Sequence, residues 1–240
     1  REAAWNKANE LAAQLESEGM GGLYVVVGTV GTDHANGKPR NRLVVLHGGL
    51  VWAGYDMHFL PNYGVFDEFR IFSAGERHVV LSIDGVRVGL AICEDIWQDG
   101  GPVAELAAEH IDVLLTINGS PYEEGKTQIR LDLARRRAAE VHAPMIYVNQ
   151  VGGQDDLVFD GGTFVVDTDG TLLQRSPMFM EDLAYFTLDT DREHQEVCEV
   201  APRMDPDEEV YTACVLGLKD YMAKNGFTGV CLGLSGGIDS

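Results

Sequence analysis

Cys93 stands directly after an apolar segment in the sequence GLAICEDIW, and it is the first residue whose setting suggests chemistry. Catalytic groups often follow strands because the rigid sheet fixes the direction of the side chain. A cysteine in such a place acts as a nucleophile when a neighbouring base or cation favours its thiolate. The spacing alone leaves a second interpretation open, in which Cys93 is a small buried apolar residue.

A second candidate site is the glycine-rich sequence SGGIDS at residues 235–240, which follows the apolar segment TGVCLGL. Glycines let backbone N–H groups approach phosphate oxygens, and a following helix would add its positive end. The sequence lacks the G-K-[ST] ending of a Walker A loop. Asp239 would hold Mg²⁺ or position the loop. The alternative is an ordinary glycine-rich turn with a serine that caps a helix.

The overall charge limits the kinds of partner. The 240 residues include 38 acidic and 18 basic side chains, which gives a net charge of -20. Nucleic acids and anionic membranes bind basic surfaces, so we expect neither as the main partner. No apolar run approaches the roughly 20 residues of a membrane span, and no secretory signal is visible. The four cysteines are widely spaced, so we expect no zinc site or disulfide framework and predict a cytoplasmic setting.

Hydrophobic patterns predict the elements that position Cys93. A helix is expected over residues 4–15, followed by a strand over 23–30 and two strands about Gly48-Gly49. Asp84-Gly85 is a strong hairpin signal between strands at 77–83 and 86–92, and the second of these strands leads into Cys93.

The pattern continues with alternating helices and strands. A short helix at 102–110 precedes the strand DVLLTIN, and a long helix at 124–142 carries a predicted basic face at Arg135, Arg136 and Arg137. The strand MIYVNQ and the hairpin TFVVDTDGTLLQ follow. This order predicts a layered α/β fold with mixed sheets.

Composition changes near residue 190 and suggests a domain boundary. Residues 191–208 are acidic and lack periodicity, so we interpret them as a linker between a domain at 1–190 and the start of another at 209–240. A helix is predicted over 210–223 and a buried strand over 228–234. The sequence stops inside the expected strand-to-helix turn.

Five motifs occur in order along the chain: LPNYGVFDEFRIF, GLAICEDIW, NGSPYEEGK, YVNQVGGQDDLVFDGGTFVVD and LGLSGGIDS. Together they resemble the glutamine-dependent NAD⁺ synthetases, whose amino-terminal domain belongs to the nitrilase superfamily. The resemblance implies an α/β fold: a four-layer α-β-β-α sandwich followed by the beginning of a Rossmann-like adenine-nucleotide α-hydrolase domain. It covers nearly the whole chain and implies that an amino-terminal part is missing and that the second domain is truncated at its phosphate loop.

The resemblance also implies a reaction. A Glu-Lys-Cys triad hydrolyses glutamine, with Cys93 as the nucleophile and no cofactor in that step. The ammonia then amidates nicotinate adenine dinucleotide to NAD⁺ with ATP and Mg²⁺, which makes the parent a carbon–nitrogen ligase. The family forms large homo-oligomers. The residues that match its ATP loop are Ser235, Gly236, Gly237, Asp239 and Ser240.

Four residues match family positions that contact glutamine, namely Tyr63, Glu94, Ser120 and Lys126. Three of them have simpler interpretations: packing for Tyr63, a turn or cap for Ser120, and a solvated helix charge for Lys126. Glu68 either supports the triad or forms a surface salt bridge with Arg70.

The sequence departs from the family pattern at two triad positions. Met57 occupies the position of the lysine, three residues before the Leu of LPNY, and a thioether has neither a charge nor a proton to give. The resemblance places the triad glutamate upstream of the first strand, so we expect it to precede residue 1, and no residue here is assigned that role. Loss of one member of a cooperative unit costs several orders of magnitude in rate, so we expect little or no glutaminase activity. Whether Met57 is natural, engineered or a sequence error stays open.

Three other functions compete with this interpretation. One is a free-standing amidase or nitrilase, against which SGGIDS and the linker argue. Another is a non-catalytic nitrilase-like scaffold of a synthetase that uses free ammonia, which Met57 favours. The third is a different glutamine-fed ligase with the same loop.

Overall fold

Two β-sheets pack face to face in the computed structural model, which describes residues 1–191 and 194–238. The helices are α1 (Glu2–Ser17), α2 (Glu68–Ile71), α3 (Gly101–Ala107), α4 (Lys126–Val141) and α5 (Pro206–Asn225). The strands are β1 (Val25–Thr32), β2 (Pro39–His47), β3 (Leu50–Asp56), β4 (Val80–Ile83), β5 (Val86–Ile92), β6 (Val113–Asn118), β7 (Met145–Asn149), β8 (Val151–Gln154), β9 (Leu157–Asp160), β10 (Phe164–Val166) and β11 (Leu172–Arg175).

The first sheet is antiparallel in the order β1-β2-β3 and is covered on its outer side by α1. The small side chains Ala8 and Ala12 let the helix approach Val44 and Leu46 of β2 closely. Alternate residues of β2 point the other way, because successive side chains in a strand face opposite sides of the sheet. The first sheet is therefore buried on both faces along β2.

The second sheet is mixed, in the order β11-β10-β7-β6-β5-β4. Strands β5, β6 and β7 run parallel, while β4, β10 and β11 are antiparallel to their neighbours. One face packs on the first sheet through a cluster that contains Leu43, Leu90 and Ile92. The other face packs on α3 and α4 through Leu114, Ala134 and Met145. The result is the four-layer α-β-β-α sandwich that the sequence predicted.

One strand pair was missing from the sequence prediction. β8 and β9 form a short hairpin about Asp155-Asp156, and Asp155 has a φ of 52°. Consecutive glycines in β8 weaken the local strand signal, which explains why the pattern was interpreted only as a motif. The hairpin packs against α5.

Two predictions were wrong. The expected basic face of α4 does not form: Arg137 is 1% exposed and donates to the Ile96 carbonyl, because its position on the helix faces α3 and the turn after β5.

Residues 228–234 do not form a buried strand. They pair with no neighbour in the described part of the chain, and Leu232 is 79% exposed. A strand needs a neighbour for its backbone hydrogen bonds, and its apolar pattern alone does not supply one.

The segment after β11 extends the second sheet locally before α5 begins. Cys198 donates its backbone N–H to Leu173, and Ala201 donates to Arg175. Asp205 then caps α5 by accepting the N–H of Asp207 at 3.0 Å. Among residues 1–191 and 194–238, no helix has the length and apolarity needed to cross a membrane.

Candidate active site

Cys93 follows β5, which lies between β4 and β6 in the second sheet. It begins a 3₁₀ turn, Cys93–Ile96, and has a positive φ of 41°. A positive φ is uncommon for a residue with a Cβ and is found where the surroundings hold the backbone firmly. The pairing of Ile92 with Ile117 in β6 places Asn118 beside Cys93 at the carboxyl edge of the sheet.

An open cleft of about 580 Å³ lies above this edge, with Cys93 in its wall. The second sheet contributes Asn118, Gly119 and Asn149, while β1 contributes the opposite side. The outer edge of β1 has no pairing partner among the residues that the structure describes. The complete list of lining residues also includes Val26, Gly28, Thr29, Val30, Asn41, Pro61, Phe66, Glu68, Ile92, Ile117, Val148 and Gln150.

Asp95 ties the segment around residue 57 to the turn of Cys93. Its carboxylate is fully buried and accepts hydrogen bonds from the backbone N–H groups of His58 and Phe59 at 2.9 and 3.0 Å. The hydroxyl of Tyr55 and the N–H of Ile92 donate to its other oxygen at 2.7 and 3.1 Å. Burial raises the pKa of Asp95, and these four donors oppose that rise. The CEDIW motif contained Asp95, but nothing in the sequence connected it with residues 58 and 59.

Met57 is held in the same region but brings no charge to it. Its side chain is 1% exposed and belongs to the apolar cluster between the sheets, against which Cys93 also packs. Its backbone is fixed by Asn41, which accepts its N–H at 2.9 Å, and by Gly75, which donates to its carbonyl at 2.7 Å. A buried thioether thus lies at the position where the sequence resemblance led us to expect the lysine of the family.

The surroundings of Cys93 strongly favour the neutral thiol. Burial raises the pKa of Cys93 to about 12, and the nearby carboxylates of Glu94, Glu68 and Asp95 raise it in the same direction. A hydrogen bond from the backbone of Gly119 acts in the opposite sense. With such a pKa, only about one molecule in 10⁵ carries the thiolate at pH 7, because each pH unit changes the ratio about tenfold.

Glu94 and Tyr63, both expected to contact glutamine, are hydrogen-bonded to each other beside Cys93, although neither lines the cleft. The Tyr63 hydroxyl donates to one oxygen of the buried Glu94 carboxylate at 2.6 Å, and the Gln98 amide donates to the other at 2.6 Å. Burial and the bond to Glu94 raise the pKa of the Tyr63 phenol. Tyr63 remains 54% exposed, and its hydroxyl end lies on the buried carboxylate of Glu94.

Ser120 is also brought to this edge, in the loop that follows β6. It is buried, its N–H donates to Asn149 at 3.1 Å, and its hydroxyl accepts from Arg130 at 3.1 Å. Arg130 and Asn149 were not identified from the sequence. Arg130 lies one helical turn after Lys126, which was the only signal for it.

Lys126 and Glu68 occupy different surroundings. Lys126 is the first residue of α4 and forms an ion pair with Glu123 at 2.5 Å, and it is not among the residues that line the cleft. Glu68 does line the cleft, accepts from the Asn41 amide at 3.1 Å, and has a pKa that burial raises. The alternative of a salt bridge between Glu68 and Arg70 is wrong, because Arg70 pairs with Asp67.

The described residues of the predicted phosphate loop, 235–238, do not line this cleft. The N–H of Gly237 donates to the Ser235 hydroxyl at 3.3 Å, and Gly236 has a φ of 80° that suits a glycine turn. Asp239 and Ser240 lie outside the described residues.

Two parts of the chain match known protein families. Residues 2–195 match the carbon-nitrogen hydrolase family, and residues 210–240 match the NAD synthase family. The glutamine-dependent NAD(+) synthetase of Acinetobacter baylyi is 41% identical over 204 residues, which cover 85% of this chain and 38% of that protein. The enzyme of the same description from Synechocystis is 37% identical over 235 residues, covering 91% and 42%.

Solved structures of glutamine-dependent NAD⁺ synthetases are also similar to this chain. The glutamine-dependent NAD⁺ synthetase of Acinetobacter baumannii, determined with ADP, aligns with a TM-score of 0.87 at 40% identity and covers 98% of this chain and 44% of that one. A synthetase from Cytophaga hutchinsonii has a TM-score of 0.75 at 23% identity, with 94% and 37% covered, and supports the fold. The chain spans about two fifths of the length of these relatives. It belongs to the carbon-nitrogen hydrolase family, and the similarity to glutamine-dependent NAD⁺ synthetases predicted from its ordered motifs is confirmed.

Proposed function

We propose that residues 1–190 are the glutamine-hydrolysing domain of a glutamine-dependent NAD⁺ synthetase, linked through 191–208 to a synthetase domain that starts at 209. The observation that carries this proposal is the meeting of Cys93, Glu94, Tyr63 and Ser120 at one edge of the second sheet. Cys93 and Gly119 line a cleft large enough for an amino acid. Glu94 and Ser120 are their neighbours in the chain, and Tyr63 is hydrogen-bonded to Glu94. The family matches on both sides of residue 200 support the division into domains.

In the proposed reaction, the sulfur of Cys93 attacks the side-chain amide carbon of glutamine. The C–S bond forms, the C–N bond breaks, and the leaving nitrogen takes a proton to depart as ammonia. Water then attacks the thioester, which releases glutamate and returns the proton to the sulfur. The buried carboxylate of Glu94, held by Tyr63 and Gln98, is suited to the positively charged amino group of the substrate.

We propose further that Met57 makes this step slow. The charged side chains with the largest effect on Cys93 are the carboxylates of Glu94, Glu68 and Asp95, and each disfavours the thiolate. A lysine at position 57 would add a cation near the sulfur and lower its pKa. The same observation favours a second candidate function, in which the domain is a non-catalytic scaffold and the parent synthetase uses free ammonium. A free-standing amidase is less well supported, since residues 210–240 match the NAD synthase family.

The proposed substrates and partners of the whole protein follow from the relatives. They are glutamine, nicotinate adenine dinucleotide, and ATP with Mg²⁺, in a cytoplasmic homo-oligomer without nucleic-acid or membrane partners. A relative bound to ADP supports nucleotide binding. The glycine turn at Ser235, Gly236 and Gly237 is exposed and has open space beside Gly236, so a phosphate group would have access to its backbone. Asp239, the proposed Mg²⁺ ligand, lies outside the described residues.

The decisive measurement is ammonia release from glutamine. This chain is compared with a Met57→Lys protein that is extended upstream to include the family glutamate, and with its Cys93→Ala variant. Activity that appears with lysine and disappears with Cys93→Ala supports the glutaminase proposal. If the restored protein is folded and inactive, the scaffold alternative is preferred and the catalytic role of Cys93 is rejected.

A further inference from the structure

Arg130 and Asp160 form a buried ion pair beside the cleft that the proposed reaction does not itself use. The guanidinium Nη1 lies 2.6 Å from Asp160 Oδ2, and both side chains are almost completely excluded from solvent. Moving two charges out of water is costly, and apolar residues of similar size often stabilise a fold equally well. The pair therefore calls for an explanation beyond stability.

The remaining donors of Arg130 all point to one loop. Its Nε donates to the Ser120 hydroxyl at 3.1 Å, and its Nη2 donates to the carbonyls of Ser120 and Pro121 at 2.9 and 2.7 Å. Asn149 accepts the Ser120 N–H at 3.1 Å and donates to the Ser120 carbonyl at 3.3 Å. Each of the three polar atoms of Ser120 is thus held by Arg130 or Asn149.

Asp160 holds both of these side chains in turn. One of its oxygens pairs with Arg130, and the other accepts from the Asn149 amide at 3.4 Å. The planar guanidinium presents its donors in a fixed fork, so the ion pair determines the direction of the bonds to Ser120. Residues 119–121 are consequently fixed from two sides by side chains that lie on α4, β7 and β9.

The fixed loop touches the nucleophile directly. The backbone of Gly119 forms a hydrogen bond to Cys93, and Gly119 and Asn149 line the cleft. A displacement of the loop would move both the Gly119 donor and the Ser120 side chain relative to the sulfur. Misplacement by about 1 Å is sufficient to slow an enzymatic step about a hundredfold.

We propose that Arg130 and Asp160 are positioning residues for the Cys93 site, which fix the 119–121 loop so that a glutamine side chain is presented to the sulfur. The proposal rests on the proposed function. It predicts that disturbing the fork impairs reactions that need an oriented glutamine much more than it changes the intrinsic reactivity of the thiol, to which the loop contributes the Gly119 hydrogen bond.

The test uses the full chain with Cys198, Cys214 and Cys231 replaced by serine, which leaves Cys93 as the only cysteine. Alkylation of Cys93 is followed by intact mass at alkaline pH with two reagents, a chloroketone analogue of glutamine and iodoacetamide. The chloroketone requires the glutamine site, whereas iodoacetamide reports only the exposure and ionisation of the thiol. Arg130→Lys keeps the cation opposite Asp160 but removes the fork. The double variant Arg130→Met with Asp160→Leu removes both charges. It is used if a single unpaired buried charge prevents folding.

We expect the fork variants to react with the chloroketone at least about tenfold more slowly, with a higher half-saturating concentration, while iodoacetamide rates stay within about threefold. Arg135→Met is the matched control, because Arg135 also lies on α4 but donates to the Gly170 carbonyl. A folded fork variant that keeps the parental rate ratio of the two reagents overturns the positioning role, and so does an equal fall with both reagents. If the parent shows no saturable preference for the chloroketone, the glutamine assignment itself fails and the positioning role fails with it.

Discussion

The turn that begins at Cys93 and the turn at residues 235–238 both follow an apolar segment, but the structure holds them in different ways. β5 is paired on both edges, by β4 and β6, and Asp95 adds four hydrogen bonds that fasten the turn. Residues 228–234 have no strand neighbour within the described ranges, and Leu232 and Leu234 are 79% and 75% exposed.

The comparison shows that a reactive sequence becomes a site only when other elements fix it. Ordering one residue of backbone costs roughly 1–2 kcal/mol, which apolar burial and ladder hydrogen bonds offset in β5. The segment before Ser235 has neither of these gains. α5 lies between the two cases, because Asp220 accepts the N–H of Gly153 at 2.7 Å and Lys224 donates to the Gly153 carbonyl at 2.5 Å.

The largest effect on activity should come from placing a positive charge at position 57 of the Cys93 site. In a protein extended upstream to include the family glutamate, Met57→Lys should raise glutamine hydrolysis by about 10³-fold or more. Met57→Leu is the matched neutral control, and ammonia release is the measurement. Equal rates for the lysine and leucine variants would mean that position 57 does not limit the reaction.

The pH dependence of Cys93 alkylation should be the next largest effect. Because burial and the acidic neighbours raise its pKa to about 12, the rate with iodoacetamide should increase about tenfold per pH unit, without a plateau below about pH 10. The raised folded-state pKa also means that stability is lost as pH rises above the unfolded value of about 8.5. A plateau in the alkylation rate near neutral pH would show that the pKa of Cys93 is not raised. Met57→Lys should shift the plateau to lower pH.

Removing the carboxylate that holds the Cys93 turn should have a smaller effect than the two changes above. Asp95→Ala leaves four donors without their acceptor, two of them on residues 58 and 59, and should lower the free energy of unfolding by about 2–4 kcal/mol. Urea denaturation measures this change, with the exposed Asp182→Ala as the control. A loss equal to that of the control would show that the turn is held by strand pairing alone.

Breaking the contact between α5 and the β8–β9 hairpin should have a smaller effect still. Asp220→Ala should lower the free energy of unfolding by about 1 kcal/mol and increase hydrogen exchange in α5 and the β8–β9 hairpin. Lys219→Ala, an exposed position on the same helix, is the control. Unchanged exchange in the hairpin would separate α5 from the first domain.

The smallest effect is expected in the second turn region. Leu234→Ala should change the free energy of unfolding by less than about 0.5 kcal/mol, because the side chain is exposed. Ile92→Ala, at the equivalent place before Cys93, should cost about 2–4 kcal/mol. Similar losses at the two positions would remove the contrast between the regions.

Much of the layered fold followed from local patterns. The strands about Gly48-Gly49 and Asp84-Gly85 were predictable because alternating apolar residues and turn residues are short-range signals. The β8–β9 hairpin and the burial of Arg137 were not, since the first depends on α5 and the second on carbonyls some 40 residues away.

By itself, the sequence determined the reactive groups and their order: a cysteine after a strand, an acidic neighbour, a serine loop, and a methionine where the family has lysine. The tertiary structure alone decided which of them share one place. Asp95 meets His58 across 37 residues, and Arg130 meets Asp160 across 30. Such contacts arise because the two sheets, α4 and the β8–β9 hairpin pack together, which brings together residues that no local pattern connects.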